Sequence, residues 1–401
     1  MKSENIYKLM IFIFLSSFIF GAYLLENLGI QYVSEGGNPL VKIHITSYVL
    51  IFAVLLHTLK RGVIRPLANL KHLKTSWLVS MFCITLVIIY GLYRFGTSGM
   101  AYLVDTVVAG LLAIFLLSQL DYDQKNKLLK LLAYLLFMNS IVAIIEFTYG
   151  ASIIAKSGVS YGHFRSTAFL AHALNNALIT AALAPILMRY TRIPLLIYFA
   201  VTTLALFAFG GRAATGVFFI GMFIIAAPQM STFISNGVKI SKVRFAIFQA
   251  LAFFVLIITV LLIILTPIGE RILNKLYIDG SAQARFDVFI ILEQMSLGEW
   301  FFGAAHDLIS NISFYIEIHV IENYIIGWIV SFGAIFALLL FLSCYKLPLK
   351  LIELNTGAAS RVTFFIFLLV SLTNNALTTK TPALLFLISA MYLVASRKNE
   401  R

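Results

Sequence analysis

Three arginines and one short stretch carry the residue types best suited to chemistry in this chain. Arg165, Arg212 and Arg285 stand on three separate segments, each beside an apolar run. A guanidinium stays charged at any working pH and grips phosphate oxygens with a fork of N–H donors. Arginines gathered from separate segments therefore suit an anionic ligand such as a diphosphate. When a sugar–phosphate bond breaks, negative charge builds on the departing pyrophosphate, and fixed cations that meet it lower the barrier. No Asp-x-Asp metal motif lies near them, so the arginines would do the work a metal ion does elsewhere. The stretch His319-Val-Ile-Glu322-Asn323-Tyr324 supplies the other half of a transfer. Either His319 or Glu322 can take the proton of an attacking hydroxyl.

The elements that must position these residues are membrane helices. Of 401 residues, 61% are hydrophobic and only 12% are charged, with 35 Phe, whereas a soluble domain carries about 25% charged residues. Lipid must be the solvent for most of this surface. A bilayer crossing needs about 20 apolar residues, and unpaired backbone groups cannot be left in hydrocarbon, which makes these runs helices. Candidate spans fall at about 7–25, 43–59, 77–93, 101–118, 128–149, 166–187, 193–209, 213–227, 244–266, 320–344, 362–378 and 381–396. The expectation is an all-α polytopic membrane protein, 1–401 as one domain, with about twelve transmembrane helices. The sixth run is polar and the eighth short. One polar interruption is much longer than the rest, the loop 267–319 between the ninth and tenth runs. Connections of that length are uncommon and are usually functional. Within it, Arg285 to Gln294 reads as an amphipathic helix with Phe286, Phe289, Ile290 and Glu293 on one face, lying along the membrane surface. Ser296 to Trp300 reads as a turn, and Gly303 to Asp307 as irregular.

Charge distribution sets the orientation. The net charge is +13, and with both termini cytoplasmic 21 of the 30 Lys and Arg fall on the cytoplasmic side. This is the positive-inside bias; it accounts for the basic excess without nucleic acid and puts the long loop outside. The first run is an uncleaved anchor, since no small-residue cleavage site follows it. Cys83 and Cys344 lie inside predicted spans without CxxC or His neighbours, so neither a disulfide nor a structural metal is expected.

Polar groups inside spans are costly and are functional candidates. On this topology Asp105, Glu146, His172, Asn175, Asn176, Asn374 and Asn375 gather near the outer ends of their spans, with Arg165 and Arg212 at the outer mouths. A transporter places such groups near the midplane. An enzyme acting on a lipid-linked substrate at the outer leaflet places them here. Structural roles stand beside these: Asp105 and Glu146 pairing with a basic neighbour, His172 and the Asn pairs as interhelical hydrogen-bond glue, the arginines as snorkelling anchors.

These residues resemble the bacterial O-antigen ligase and O-antigen/exopolysaccharide polymerase superfamily of integral-membrane glycosyltransferases. Arg165-Ser-Thr-Ala-Phe169-Leu-Ala-His172-Ala-Leu-Asn175 is similar to that family's Arg…Gly-x-Phe-x-His-Pro-Asn stretch. Phe209-Gly-Gly-Arg212-Ala-Ala-Thr-Gly resembles its Ser-Arg-Gly-Ala turn. Ala284-Arg285-Phe-Asp-Val-Phe is similar to the Arg-x-x-x-Trp start of its large periplasmic loop, and Glu322-Asn323-Tyr324 with Phe332-Gly333 to its His-Asn-x-Tyr…Phe-Gly. The likeness covers about 165 to 345. It departs at His172-Ala-Leu-Asn175, at Gly303-Ala-Ala, and at Glu322, which stands where the family has His while His319 lies one turn earlier.

The resemblance implies Arg212 and Arg285 on a lipid pyrophosphate and Arg165, His172, Asn175 and Asn323 around the substrate. Arg285 and one of His319 and Glu322 would be catalytic. No metal, nucleotide sugar or other cofactor is implied. The expected activity is polymerisation of undecaprenyl-pyrophosphate-linked oligosaccharide units at the periplasmic face of the bacterial inner membrane. The partners are that lipid-linked glycan, membrane lipid and, from the family alone, a chain-length regulator. The alternatives are ligation of finished glycan to lipid A-core, which shares the donor, and a flippase or transporter. A structural or sensory membrane protein would not need arginines gathered on one side.

Overall fold

The computed structural model describes residues 2–33, 38–97, 99–153, 164–170, 172–237, isolated positions between 241 and 257, 288–305, 308, 321–355 and 357–398. No strand occurs among them. In chain order the helices are α1 (Ser3–Ile19), α2 (Ala22–Asn27), α3 (Ile45–Arg61), α4 (Ile64–Ala68), α5 (Lys74–Phe95), α6 (Ala109–Leu117), α7 (Tyr122–Tyr149), α8 (Ala173–Leu187), α9 (Leu195–Phe209), α10 (Arg212–Asn236), α11 (Leu297–Phe302), α12 (Tyr324–Leu354), α13 (Ala358–Ser371) and α14 (Ala383–Lys398). Residues 288–294 are also helical.

Among the described residues four helices are long and apolar enough to cross a membrane: α5 with the turn before it, α7, α10 and α12. The fold is thus that of an α-helical membrane protein. The twelve hydropathy runs do not become twelve full-length helices. α8 and α9 have 15 residues each and α13 has 14, short of the ~20 that cross a bilayer upright. The eighth run, short by hydropathy, extends in α10 to 25 residues. The sixth and eleventh runs are only partly helical. Most of the ninth run, and 267–287 and 309–319 of the long loop, lie outside the described residues.

Burial sorts the helices. α6 is buried along its whole length and α8 nearly so, as is α14 from Ala383 to Ala395. A helix that is apolar all round belongs inside a bundle or in lipid, and these three form the centre. α10 buries only Ala214, Thr215, Phe218 and Gly221 and exposes Phe223, Ile224 and Phe233, so its outer face suits lipid. Small residues allow close packing, as expected between helices in hydrocarbon. A side-chain carbon on Gly211, at the start of α10, would stand 2.6 Å from the Ala177 Cβ of α8.

Candidate functional site

The sixth apolar run begins without a helix. From Phe164 to Leu170 the chain is irregular, and α8 starts only at Ala173, with His172 before it. Irregular backbone within a membrane bundle persists only where protein satisfies its polar groups, and α7 does this. The fully buried Glu146 carboxylate accepts from the Ser166 hydroxyl at 2.6 Å and from the N–H groups of Thr167 at 2.9 Å, Ala168 at 2.8 Å and Ile153 at 2.8 Å. Asn139 accepts the Phe169 N–H at 3.2 Å and donates to the Asn176 amide oxygen at 2.9 Å; Asn176 donates back to the Thr167 carbonyl at 2.6 Å. Ser166 N–H bonds Ala208 O of α9. Ala168 is held at φ +40, a left-handed conformation that costs a non-glycine residue energy. Among the described residues Glu146 therefore has hydroxyl and backbone partners and no basic one. Asn176 is glue for a loop.

This pinned segment sets Arg165 and His172 in different places. Arg165 joins Arg212, the first residue of α10, and Asn374 around a cavity of about 50 Å³. Arg212 is placed by the Gly210-Gly211 turn after α9, which lets α10 begin against α8. Asn374 arrives because α13 ends at Ser371 and the chain runs on irregularly to Pro382; its Oδ1 accepts the Ala376 N–H at 3.0 Å. Two guanidinium groups and an amide from three elements thus share one cavity, an arrangement able to hold a phosphate-like anion.

His172 faces the end of the long loop. Its imidazole feels both the Glu322 carboxylate and the Arg165 guanidinium. Glu322 stands just before α12. Asn323 caps that helix, its Oδ1 accepting the N–H groups of Ile325 at 3.0 Å and Ile326 at 3.3 Å. Its oxygen is occupied by the cap that an Asn at this position favours. Asn175 belongs with His172 around a second cavity, and not with the arginines. Arg285 and His319 lie outside the described residues.

The described loop residues dock on α12. Ser296 and Glu299 form a capping box, the S-x-x-E signature of a helix start, so the stretch read as a turn is α11. The Glu299 carboxyl is held below the ordinary range, chiefly by the Ala305 N–H and then by Ser296. α12 breaks at Gly333, with φ +79, and the freed Val330 carbonyl accepts the Ala304 N–H at 2.8 Å. Phe301 runs so close to Gly333 that any side chain there would strike its backbone. Arg94 at the end of α5 donates to the carbonyls of Phe302 and Ala304, and Tyr90 to that of Phe302. Residues 288–295 carry apolar side chains on two faces. Val288, Ile291 and Met295 are buried against Ile326 and Val330, while Phe289 and Ile290 point outward. Phe286 lies outside the described residues.

Asp105 sits in a π-helical turn, Leu103–Val108. It accepts from the Tyr32 hydroxyl at 2.7 Å, the Ser47 hydroxyl at 2.6 Å and the His44 N–H at 3.0 Å, and Lys380 is its charged neighbour. Tyr32, His44 and Lys380 were not singled out as site residues; a buried Asp is the signal that could have led to them. Among the described residues no three of His, Cys, Asp and Glu cluster as metal ligands, and both cysteines are free.

No protein-family model matches the chain, and no curated protein matches it either. The resemblance described above thus rests on its motifs alone.

Proposed function

We propose that this protein is an integral-membrane glycosyltransferase that takes its glycan from a polyprenyl-pyrophosphate carrier at the outer face of a bacterial inner membrane. The observation that carries this reading is the meeting of Arg165 and Arg212, from separate segments, at one cavity. Both would grip the pyrophosphate, with Arg285 from the long loop as a third cation. The acceptor hydroxyl oxygen attacks the anomeric carbon. The bond from that carbon to the pyrophosphate oxygen breaks, the electron pair leaves with the pyrophosphate, and the arginines meet its charge. The hydroxyl proton goes to Glu322 or to His319. We assign the polymerase reaction, in which the acceptor is another glycan unit.

Arg212→Ala is expected to abolish long-chain polysaccharide while the protein still inserts. Arg212→Lys keeps the charge but not the fork and should recover only part of the product. Normal-length glycan from Arg212→Ala would remove the pyrophosphate role. In a deletion strain, single repeat units on lipid A-core indicate a lost polymerase; long chains stranded on the carrier indicate a ligase instead.

A further inference from the structure

A second cavity, of about 240 Å³, opens beside the arginine site. Its wall draws on the end of α1, the start of α3, the π turn before α6, the start of α8 and the irregular segment after α13. Four features define its chemistry. The Asn175 amide is only 5% exposed, lines the cavity, and its oxygen has no hydrogen-bond partner among the described residues. Lys380 lines it, with its ammonium 4.5 Å from the centre of the Tyr32 ring and bonded to the Tyr32 carbonyl. Asp105 faces the same space and offsets that positive charge. Phe20 and Tyr23 add flat apolar surface.

A buried amide oxygen without a partner asks for a donor. An acidic and a basic group together leave the cavity nearly neutral, which argues against a phosphate or a lone cation. The wall is largely apolar, but a lipid tail would offer no partner to the unpartnered Asn175 oxygen or to the Asp105 and Lys380 side chains set into it. The volume matches about eight liquid waters and falls below the ~300–1,000 Å³ of larger ligand pockets. A sugar ring fits all of this: hydroxyl donors for Asn175, hydroxyl acceptors for Lys380, and C–H faces for the aromatic rings.

We propose that this cavity binds one neutral pyranose ring, with Asn175 as its acceptor and Lys380 as its donor. The assignment rests on the glycosyl-transfer reading, since His172 lines this cavity and feels Arg165 of the other. The ring is the donor's sugar or the terminal sugar of the acceptor chain.

The test is saturation-transfer NMR on the full chain in nanodiscs, with glucose, galactose, mannose, rhamnose, N-acetylglucosamine and N-acetylgalactosamine as probes. At least one should bind. Asn175→Leu should weaken it about tenfold, the effect of one buried hydrogen bond. Ala22→Phe, which places a bulky ring at the cavity wall and removes none of its polar groups, should abolish it at unchanged melting temperature. No signal from any probe, or equal binding in Ala22→Phe, overturns the proposal. Added undecaprenyl-pyrophosphate-linked sugar that displaces the probe marks the donor's ring; failure to displace it marks the acceptor's. Arg212→Ala should leave probe binding intact while losing undecaprenyl pyrophosphate, so failure of the carrier reading and failure of the sugar site give different results.

Discussion

Glu146 shows how a single side chain can govern a site it does not touch. Its two oxygens take four donors, three of them from the segment that carries Arg165 and the fourth from Ile153 just after α7. Hydrogen bonds to a charged group are worth ~1.5–3 kcal/mol each, and they act as a set, so they do not simply add. Glu146→Gln turns one acceptor oxygen into a donor facing donors. The variant should melt at lower temperature in detergent and lose kcat more than it raises donor KM, because the arginine is misplaced while both guanidinium groups remain. Unchanged melting and unchanged transfer would show that the segment holds its shape without the carboxylate. The importance of Glu146 was legible in the sequence as a charge inside a span. Its partners were not, because three of the four are backbone N–H groups, which every residue but proline offers. Asn139 escaped notice for a related reason: its use depends on Phe169 and Asn176 folding back onto α7.

At the scale of the element, the break in α12 decides where the long loop lies. A continuous helix would keep the Val330 carbonyl for itself. Gly333 reaches a φ that other residues avoid, and so frees that carbonyl for Ala304 while leaving room for Phe301. Gly333→Ala should expel α11 from α12. The check is limited proteolysis near Gly303, which should speed up in the variant; an unchanged rate would mean that Arg94 and Tyr90 suffice. Acid should act on the same dock through Glu299. A carboxyl held below its ordinary value of 4.5 contributes stability that is present above that pH and is lost as the pH falls through the lowered value. Protection of Gly303 should therefore decline below about pH 4.5 in the wild type, and Glu299→Gln should be weaker at neutral pH but flat across that range. Equal pH dependence in the two proteins would clear Glu299 of the role. The helical period on 288–294 was readable, but not the choice of face. Val288, Ile291 and Met295 offer one apolar face and Phe289 with Ile290 another, and only α12 determines which is covered.

At the scale of the whole molecule, hydropathy located the helices because burial in lipid or in a bundle asks the same of a side chain. For the same reason it could not separate the central α6, α8 and α14 from lipid-facing α10, nor foresee that 164–170 and 372–382 run irregularly through apolar-rich sequence. Those two irregular stretches bring Arg165, Asn374 and Lys380 to one end of the bundle with Arg212, Asp105 and Glu322. The opposite end gathers Ser3, Lys71, Asp121, Lys125 and Ser396 around another cavity. The start of α1 and the last turn of α14 thus share the end without the arginine site, and α3 connects the ends. Leu40 precedes α3 and Ile64 follows it, both well exposed, and Lys60, Arg61 and Arg65 crowd the Ile64 side. Basic residues mark the cytoplasm, so the arginine site should face outward. With Cys83 and Cys344 buried, single added thiols can report this against low background. Leu40→Cys should react with a membrane-impermeant maleimide in intact spheroplasts, and Ile64→Cys only after lysis. The reverse pattern would turn the arginine site toward the cytoplasm, away from a carrier-linked glycan at the outer face, and the proposed donor would have to be given up.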